Sequence, residues 1–313
     1  MVKVALPELL RRELDGRLPA DVEPAWYRDA TDVAQASADA DVLVIGFIDP
    51  EEIRHAVESA PRARWISTHA AGVDHYPFEL IRRSGALLTK GAGVNAVPIA
   101  ESVVLFVLSA AKSFPLYVAS NAEHAWPAER PPATELTGTA ALVLGYGHIG
   151  RAVADRLRAF GVQVTGARRH PDGESDVIGP AEWRQRLPEF DWVLLTAALT
   201  PGTRHLLSTP EFARMKSSAW VVNIARGGLI DQPALVAALR EGRPRGAYLD
   251  VTDPEPLPSD DPLWLAPNVF ITGHSAGRGT GSLARYASLF LDNLARFDAG
   301  QPLTNLVDLG EGY

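Results

Sequence analysis

The stretch ALVLGYGHIG at residues 141–150 decides the fold. An apolar run leads into Gly145, Gly147 and Gly150, and a helix-like pattern continues from 149 to 160. In this strand–turn–helix setting the first glycine allows a sharp turn and the second lets the backbone approach a pyrophosphate. The third glycine lets the helix pack on the strand, and the amides at the helix start can hold phosphates. The stretch therefore predicts a dinucleotide-binding unit.

Composition limits the class of protein. With 313 residues the chain exceeds the usual size of one domain, so we expect two. Its net charge of −8 argues against a nucleic-acid surface, and no run of about 18 apolar residues predicts a membrane span. The apolar run at the start is too short for a signal peptide. The chain has no cysteine, which excludes disulfides and thiolate ligands. We expect a cytoplasmic protein without a metal site.

Strands alternate with helices along most of the chain, which indicates parallel βαβ units. The predicted strands cover residues 2–6, 22–26, 42–47, 64–67, 140–144, 162–167, 191–195, 219–224, 246–250 and 269–272. The predicted helices cover residues 51–59, 98–117, 149–160, 232–240 and 283–297.

We expect an α/β protein with two domains. Residues 98–283 would form a Rossmann-type dinucleotide-binding domain. Residues 1–97 and 284–313 would form a smaller flavodoxin-like substrate domain, with the active site in the cleft between the two domains. The run PIAESVVLFVLSAAKSFPLY at 98–117 predicts one long helix that is apolar on nearly all faces. Such a helix would pack against the second domain or against another subunit. We expect a homodimer, with burial within one chain as the alternative, and the loop of residues 121–136 follows the helix.

Three predicted strand ends in the second half carry reactive side chains. Arg226 follows one strand, Asp250 and Glu255 follow the next, and His274 follows the third. Parallel strands share a direction, so these loops should open on the edge that carries the glycine turn. Taken singly, each residue also fits a plainer interpretation. Arg226 fits a surface ion pair, Glu255 a loop charge and His274 a capping or packing histidine. Together they fit hydride transfer to a keto acid.

The chemistry needs these residue types. Arginine can grip a carboxylate and a keto oxygen with its planar fork. Histidine can donate a proton to that oxygen, and a neighbouring carboxylate raises the pKa of the imidazole and orients it. A further candidate is the loop STHAAGVD at 67–74, where the amides of Ala71, Gly72 and Val73 could bind a small anion. A plain strand-to-helix turn fits that loop equally well.

Over nearly its whole length the chain resembles the D-isomer-specific 2-hydroxyacid dehydrogenase family. The motifs that carry the resemblance are GYGHIG at 145–150, NIARGGLID at 223–231, LDVTDPEPLP at 249–258 and ITGHSAG at 271–277. Weaker matches are GVD at 72–74, NAVPIAE at 95–101 and LTPGTRHLL at 199–207.

The resemblance implies a role for each candidate. Arg226 would bind substrate, His274 would be the acid/base and Glu255 would pair with it, while the loop at 71–73 would receive the substrate carboxylate. Asp250 would hold the nicotinamide carboxamide. Further cofactor contacts would come from the glycine turn and from His148, Ile149, Thr200 and Ala225. The resemblance also implies homodimers built on the dinucleotide-binding domain through the helix at 98–117.

The chain departs from the family pattern at two places. Gly273 stands where the family often has proline before the histidine, which is expected to loosen that loop. The second strand of the dinucleotide-binding domain ends in Arg168 and Arg169, and the first acid after it is Asp172. Members that prefer NAD place an acid at this strand end, whereas two arginines suit the 2′-phosphate of NADP. We therefore expect NADP(H), with NAD less favoured; solvated loop arginines are the alternative.

The leading hypothesis is an NADPH-dependent reductase of 2-keto acids. Glyoxylate, hydroxypyruvate and larger aryl or alkyl keto acids are all open as substrates. A formate or phosphite dehydrogenase would use the same arginine and histidine. A non-catalytic, dinucleotide-sensing corepressor is the third alternative, and the intact set of Arg226, Glu255 and His274 argues against it.

Overall fold

The computed structural model describes residues 1–48, 50–127, 129, 131–171 and 173–312. Arg130, within the predicted loop at 121–136, and Asp172, the first acid after Arg169, therefore lie outside the described residues. The chain divides into two compact units. Unit 1 comprises Met1–Asn95 and Gly279–Tyr313, and unit 2 comprises Ala96–Arg278. The boundaries expected from the sequence, after residues 97 and 283, lie two and five residues further along the chain.

Unit 1 is built on five parallel strands in the order β2-β1-β3-β4-β5. The strands are β1 Val2–Pro7, β2 Val22–Tyr27, β3 Val42–Ile45, β4 Trp65–Thr68 and β5 Leu87–Thr89. The helices of this unit are α1 Arg11–Leu14, α2 Ala30–Ser37, α3 Pro50–Glu58, α4 Phe78–Ser84 and, near the end of the chain, α11 Ser282–Asp298. This strand order is that of flavodoxin-like sheets, so the predicted class of unit 1 is confirmed.

Side chains that alternate along β1 enter the cores on opposite faces of this sheet. Val4 and Leu6 pack in one core with Phe290 of α11, whereas Ala5 lies in the other with Val33 of α2. Because both faces are covered, the strands read as continuous apolar runs. That pattern is why the sequence predicts them.

Unit 2 has a seven-stranded parallel sheet in the order β12-β11-β10-β9-β6-β7-β8. Its strands are β6 Ala140–Leu144, β7 Gln163–Ala167, β8 Val177–Ile178, β9 Trp192–Leu195, β10 Trp220–Asn223, β11 Gly246–Leu249 and β12 Val269–Ile271. Its helices are α5 Ala96–Ala111, α6 Phe114–Ala122, α7 His148–Ala159, α8 Pro180–Arg186, α9 Thr209–Arg214 and α10 Gln232–Arg240. The first strand lies inside the sheet with later strands on both sides, which confirms the Rossmann-type prediction.

The predicted single helix over 98–117 is wrong. The structure has α5 and α6 instead, bent by 76° at the break. Pro115 has no N–H to bond the carbonyl of Ala111, and its ring would clash with that carbonyl in a continuous helix. The carbonyl of Ala111 accepts a hydrogen bond of 2.7 Å from the amide of Thr134 instead, and Pro115 lies in the first turn of α6.

Two edge strands, β5 and β8, were not singled out from the sequence, because runs of two or three residues carry little periodicity. Among the described residues, no single helix is long and apolar enough to cross a membrane. The bent pair of α5 and α6 meets that length and composition only when both are taken together. In the same described part of the chain, no group of three His, Cys, Asp or Glu side chains is arranged to hold a metal ion.

Candidate active site

Three neighbouring strands of unit 2 position the reactive side chains. The sheet order places β10, β11 and β12 side by side and parallel, so their carboxyl ends share one edge. Arg226 lies in the loop after β10, Glu255 in the loop after β11 and His274 in the loop after β12. The structure therefore brings together the three residues that the sequence suggested.

The imidazole of His274 pairs with Glu255. Its Nδ1 lies 2.8 Å from Glu255 Oε2. This hydrogen bond is the main cause that raises the pKa of His274 above its ordinary value, against the opposing effects of burial and of the charge on Arg226. Since Nδ1 is engaged by the carboxylate, Nε2 is the ring atom left to give a proton to a substrate. The geometry suits a general acid.

The carboxylate of Glu255 is held ionised. Partial burial acts to raise its pKa, but hydrogen bonds from His274 and from the amide of Thr252, 3.0 Å away, together with nearby positive charge, lower the pKa overall. Arg226 contributes to that positive charge. The carboxylate is thus kept in the form that accepts a hydrogen bond from an imidazolium.

A buried asparagine shapes the loop that carries Arg226. The side-chain amide of Asn223 donates to the carbonyl of Arg226 at 2.8 Å, and its oxygen accepts from the amide of Ala225 at 3.1 Å. Arg226 Nη1 also donates to the carbonyl of Ala225 at 2.8 Å. An asparagine at a strand end that bonds the next residues' backbone is a recognisable turn signal, yet the sequence reading did not use it.

Gly227 allows the first two loops to approach each other. A Cβ on this residue would lie 2.0 Å from both the carbonyl carbon and the oxygen of Thr252. Only glycine fits at this close approach of two backbones. The sequence alone does not indicate this role, because the partner backbone is 25 positions further along the chain.

Asp250 has a structural role that sequence reasoning missed. Its carboxylate, 2% exposed, accepts hydrogen bonds from the Thr272 hydroxyl at 2.6 Å and from the amides of Ser275 at 2.8 Å and Ala276 at 3.0 Å. Its carbonyl also accepts from the amide of His274 at 2.5 Å. Asp250 therefore fixes the histidine loop to β11. Its predicted contact with a nicotinamide carboxamide stays a prediction.

The backbone of the histidine loop explains the missing proline. Gly273 has φ of +60° and His274 has φ of +56°. Proline is locked near −65° and cannot adopt the conformation at Gly273. A proline at position 273 would therefore not fit this loop, which the bonds to Asp250 hold in place.

The glycine turn of unit 2 fits a bound pyrophosphate. Gly145 has φ of +102°, and a Cβ on Gly150 would lie 2.1 Å from the Gly145 carbonyl oxygen. A Cβ on Gly147 would meet nothing within 4 Å, so the space in front of this turn is open. In the described structure no side chain caps α7, which leaves the amides at its start, those of His148 and Ile149, as donors for phosphate. The residues present therefore fit a dinucleotide.

The other predicted cofactor residues lie at the same sheet edge. Arg168 and Arg169 directly follow β7. Glu174 is the first described acid after them, and Arg151 binds it through two bonds of 2.6 and 2.7 Å. Thr200 lies in the loop after β9, where its amide donates to Thr203 Oγ1 at 2.8 Å. That amide is therefore engaged within its own turn.

The predicted anion loop lies in unit 1. Ala71, Gly72 and Val73 follow the carboxyl end of β4. In the described chain their three amides donate to no protein acceptor, while the carbonyl of Val73 accepts from the amide of Tyr76 at 2.9 Å. The loop thus presents unused N–H donors.

Comparison with known proteins decides the family. Residues 104–276, more than half of the chain, match the family model described as "D-isomer specific 2-hydroxyacid dehydrogenase, NAD binding domain". The chain belongs to the D-isomer-specific 2-hydroxyacid dehydrogenases. As a member it is an oxidoreductase that uses a nicotinamide dinucleotide, and the match lies wholly within unit 2.

Similar proteins match this dehydrogenase over nearly its whole length. It is 31% identical to the glyoxylate reductase of Aeropyrum pernix, covering 96% of this chain and 92% of that protein. It is 30% identical to the D-3-phosphoglycerate dehydrogenase of Methanocaldococcus jannaschii over 99% of this chain, but spans only 60% of that protein. The crystal structure of a D-isomer-specific 2-hydroxyacid dehydrogenase from Xanthobacter autotrophicus Py2 in complex with NADPH and MES is 26% identical. The TM-score of that pair is 0.80, with 100% and 99% of the two chains covered.

Proposed function

We propose that this dehydrogenase is an NADPH-dependent reductase that converts 2-keto acids to D-2-hydroxy acids. The observation that carries the proposal is the bond of 2.8 Å between His274 Nδ1 and Glu255 Oε2, with the charge of Arg226 acting on both groups. An acid, its charged partner and an anion-binding guanidinium are the groups that carbonyl reduction requires.

Each residue has a defined task in this proposal. The guanidinium of Arg226 binds the substrate carboxylate and polarises the keto oxygen with its planar fork. The imidazolium of His274 gives its Nε2 proton to that oxygen, and Glu255 keeps the imidazole charged before transfer. When bound, the reduced nicotinamide supplies the hydride to the keto carbon. The amides of Ala71, Gly72 and Val73 in unit 1 offer further donors to the carboxylate.

The preference for NADP(H) is proposed from the end of β7. Arg168 and Arg169 occupy the place where an acid would accept hydrogen bonds from the ribose hydroxyls of NAD. Glu174, the first described acid after these two arginines, supports the proposal, because its carboxylate is already held by Arg151 in a bidentate ion pair. The complex of the Xanthobacter relative with NADPH is consistent with this preference.

A panel of substrates tests the function. NADPH absorbance is followed with glyoxylate, hydroxypyruvate, pyruvate and phenylpyruvate, and NADP⁺ reduction is followed with formate and phosphite. We expect turnover with at least one keto acid and a loss of kcat of about 10²-fold or more in His274→Ala. His55→Ala, on the exposed face of α3, is the matched control and should match the wild type. Tight NADPH binding without turnover would favour a sensor instead, and turnover with formate or phosphite alone would overturn keto-acid reduction.

We further propose that the protein is a homodimer assembled through α5 and α6. No residue of α6 is buried, and three of its large apolar residues, Phe114, Leu116 and Val118, are each more than half exposed. Leu105 of α5 is 58% exposed. Exposed apolar side chains on both helices are unfavourable in water, and a second copy would cover them. The cytoplasmic location stays a prediction from the sequence.

A further inference from the structure

An aromatic pair closes the carboxyl edge of the sheet in unit 1. Phe47 follows β3 and His69 follows β4, two neighbouring strands of that sheet. Between β3 and Phe47 lies Gly46, with φ of +103°. A Cβ there would lie 2.3 Å from Thr68 Oγ1 and 3.2 Å from His69 Nδ1. Glycine is needed for the chain after β3 to come this close to the end of β4.

The ring of His69 is fixed from two sides. It stacks on Phe47 with ring centroids 4.0 Å apart and planes 16° apart. Tyr286 of α11 meets it edge-on at 6.3 Å, and the Tyr286 hydroxyl is within 2.8 Å of Ser67 Oγ. A side chain packed in this way is pre-organised, because little rotamer freedom remains to be lost when a ligand binds.

The imidazole of His69 is neutral at pH 7. Burial lowers its pKa to about 4. Its Nδ1 is buried and has no hydrogen-bond partner among the described residues. A neutral imidazole has one N–H and one bare nitrogen. Placing the proton on Nε2 leaves only an acceptor buried without a partner, which costs less than a buried, unpaired N–H.

The other ring nitrogen is directed outward. Within the described chain Nε2 has no hydrogen-bond partner either, but it is not among the buried unpaired atoms. It therefore reaches the surface of unit 1 as a donor. The loop of Ala71, Gly72 and Val73, whose amides have no protein acceptor, begins two residues further along the chain at the same edge of the sheet.

We propose that His69 is a substrate-binding residue whose Nε2–H donates to the carboxylate of the 2-keto acid alongside the amides of Ala71, Gly72 and Val73. A neutral, rigid N–H adds a hydrogen bond to a charged acceptor without adding a charge that the site would have to desolvate. This inference rests on the proposed function, since it assigns one more donor to the same substrate.

His69→Phe is the decisive variant, because it keeps an aromatic ring stacked on Phe47 and removes only the donor. We expect the KM of the preferred keto acid to rise by about 10- to 100-fold, the usual effect of losing a hydrogen bond to a charged group. The kcat and the Kd of NADPH should stay close to those of the wild type. His69→Gln, which returns an N–H near the Nε2 position, should recover part of the KM, and His55→Phe is the control.

A second measurement does not depend on turnover. In protein labelled with ¹⁵N-histidine and saturated with NADP⁺, the side-chain nitrogens of His69 should show the proton on Nε2. Oxamate, a planar analogue of a keto acid, should shift that Nε2–H signal.

The outcomes separate the inference from the proposed function. A wild type that reduces no keto acid contradicts the proposed function, whereas an active wild type with an unchanged KM in His69→Phe contradicts the role of His69. Loss of thermal stability in His69→Phe that His69→Gln reverses without improving KM would show a packing role and overturn the proposal. A proton on Nδ1, or an Nε2–H signal that oxamate leaves in place, would overturn it as well.

Discussion

Replacing Gly227 with alanine should separate the arginine loop from the glutamate loop. The new Cβ would lie 2.0 Å from the carbonyl carbon and oxygen of Thr252 and 2.5 Å from the amide nitrogen of Asp253. Ordinary contacts begin near 3.4 Å, so this peptide must retreat by about 1.4 Å. The amide of Thr252 bonds Glu255 Oε1, and the displacement is therefore transmitted to the carboxylate that pairs with His274.

A misplacement of about 1 Å at reacting groups costs about 10²-fold in rate, so kcat/KM for the keto acid should fall by about that factor in Gly227→Ala. The cost in stability should be about 1–3 kcal/mol, as for other overpacked sites. NADPH binding, followed by fluorescence, should change little, because the glycine turn after β6 is untouched. Gly179→Ala is the matched control, since its Cβ would meet nothing within 4 Å. Near-normal kcat/KM in Gly227→Ala would refute the claim that this approach sets the geometry.

Three further outcomes are expected. Arg168→Asp should lower the ratio of kcat/KM for NADPH over NADH, and a wild type that favours NADH would contradict the assignment. Because the pKa of His274 is raised and its protonated form is the acid, reduction should be fastest below that pKa and fall as pH rises through it. Glu255→Gln should move this falling limb to lower pH, and an unchanged pH profile of kcat/KM would show that the pair is structural. Val118→Glu, a charge on the exposed surface of α6, should convert dimers of about 67 kDa to monomers in light scattering, whereas Leu265→Glu should not.

The sheets could be predicted because their strands are buried on both faces. Strands such as β9 and β10 are short, wholly apolar or nearly so, and completely buried, so they stand out against the polar segments around them. The same signal failed for the run at 98–117. Its apolar character continues through the break, and Pro115 is the residue that should have divided it, since an interior proline removes a helical hydrogen bond.

The candidate site was predictable only in part. Parallel strands place their carboxyl ends together, which is why Arg226, Glu255 and His274 could be grouped from the sequence. The close approach at Gly227 and the left-handed backbone of His274 depend on which loops touch. Periodicity along one chain does not contain that information, because the touching residues are distant in sequence.

Burial gives the two carboxylates of the loop after β11 different tasks. Asp250 is almost fully enclosed and accepts three hydrogen bonds from the histidine loop, so its charge is used to fix backbone. The side chain of Glu255 is 38% exposed and bonds the imidazole itself, so its charge acts on the proton. A change at Asp250 would therefore move the backbone of the histidine loop, whereas a change at Glu255 would remove the hydrogen bond that orients the imidazole and raises its pKa. Because both act through the same histidine, variants at Asp250 and His274 should not be additive in kcat/KM.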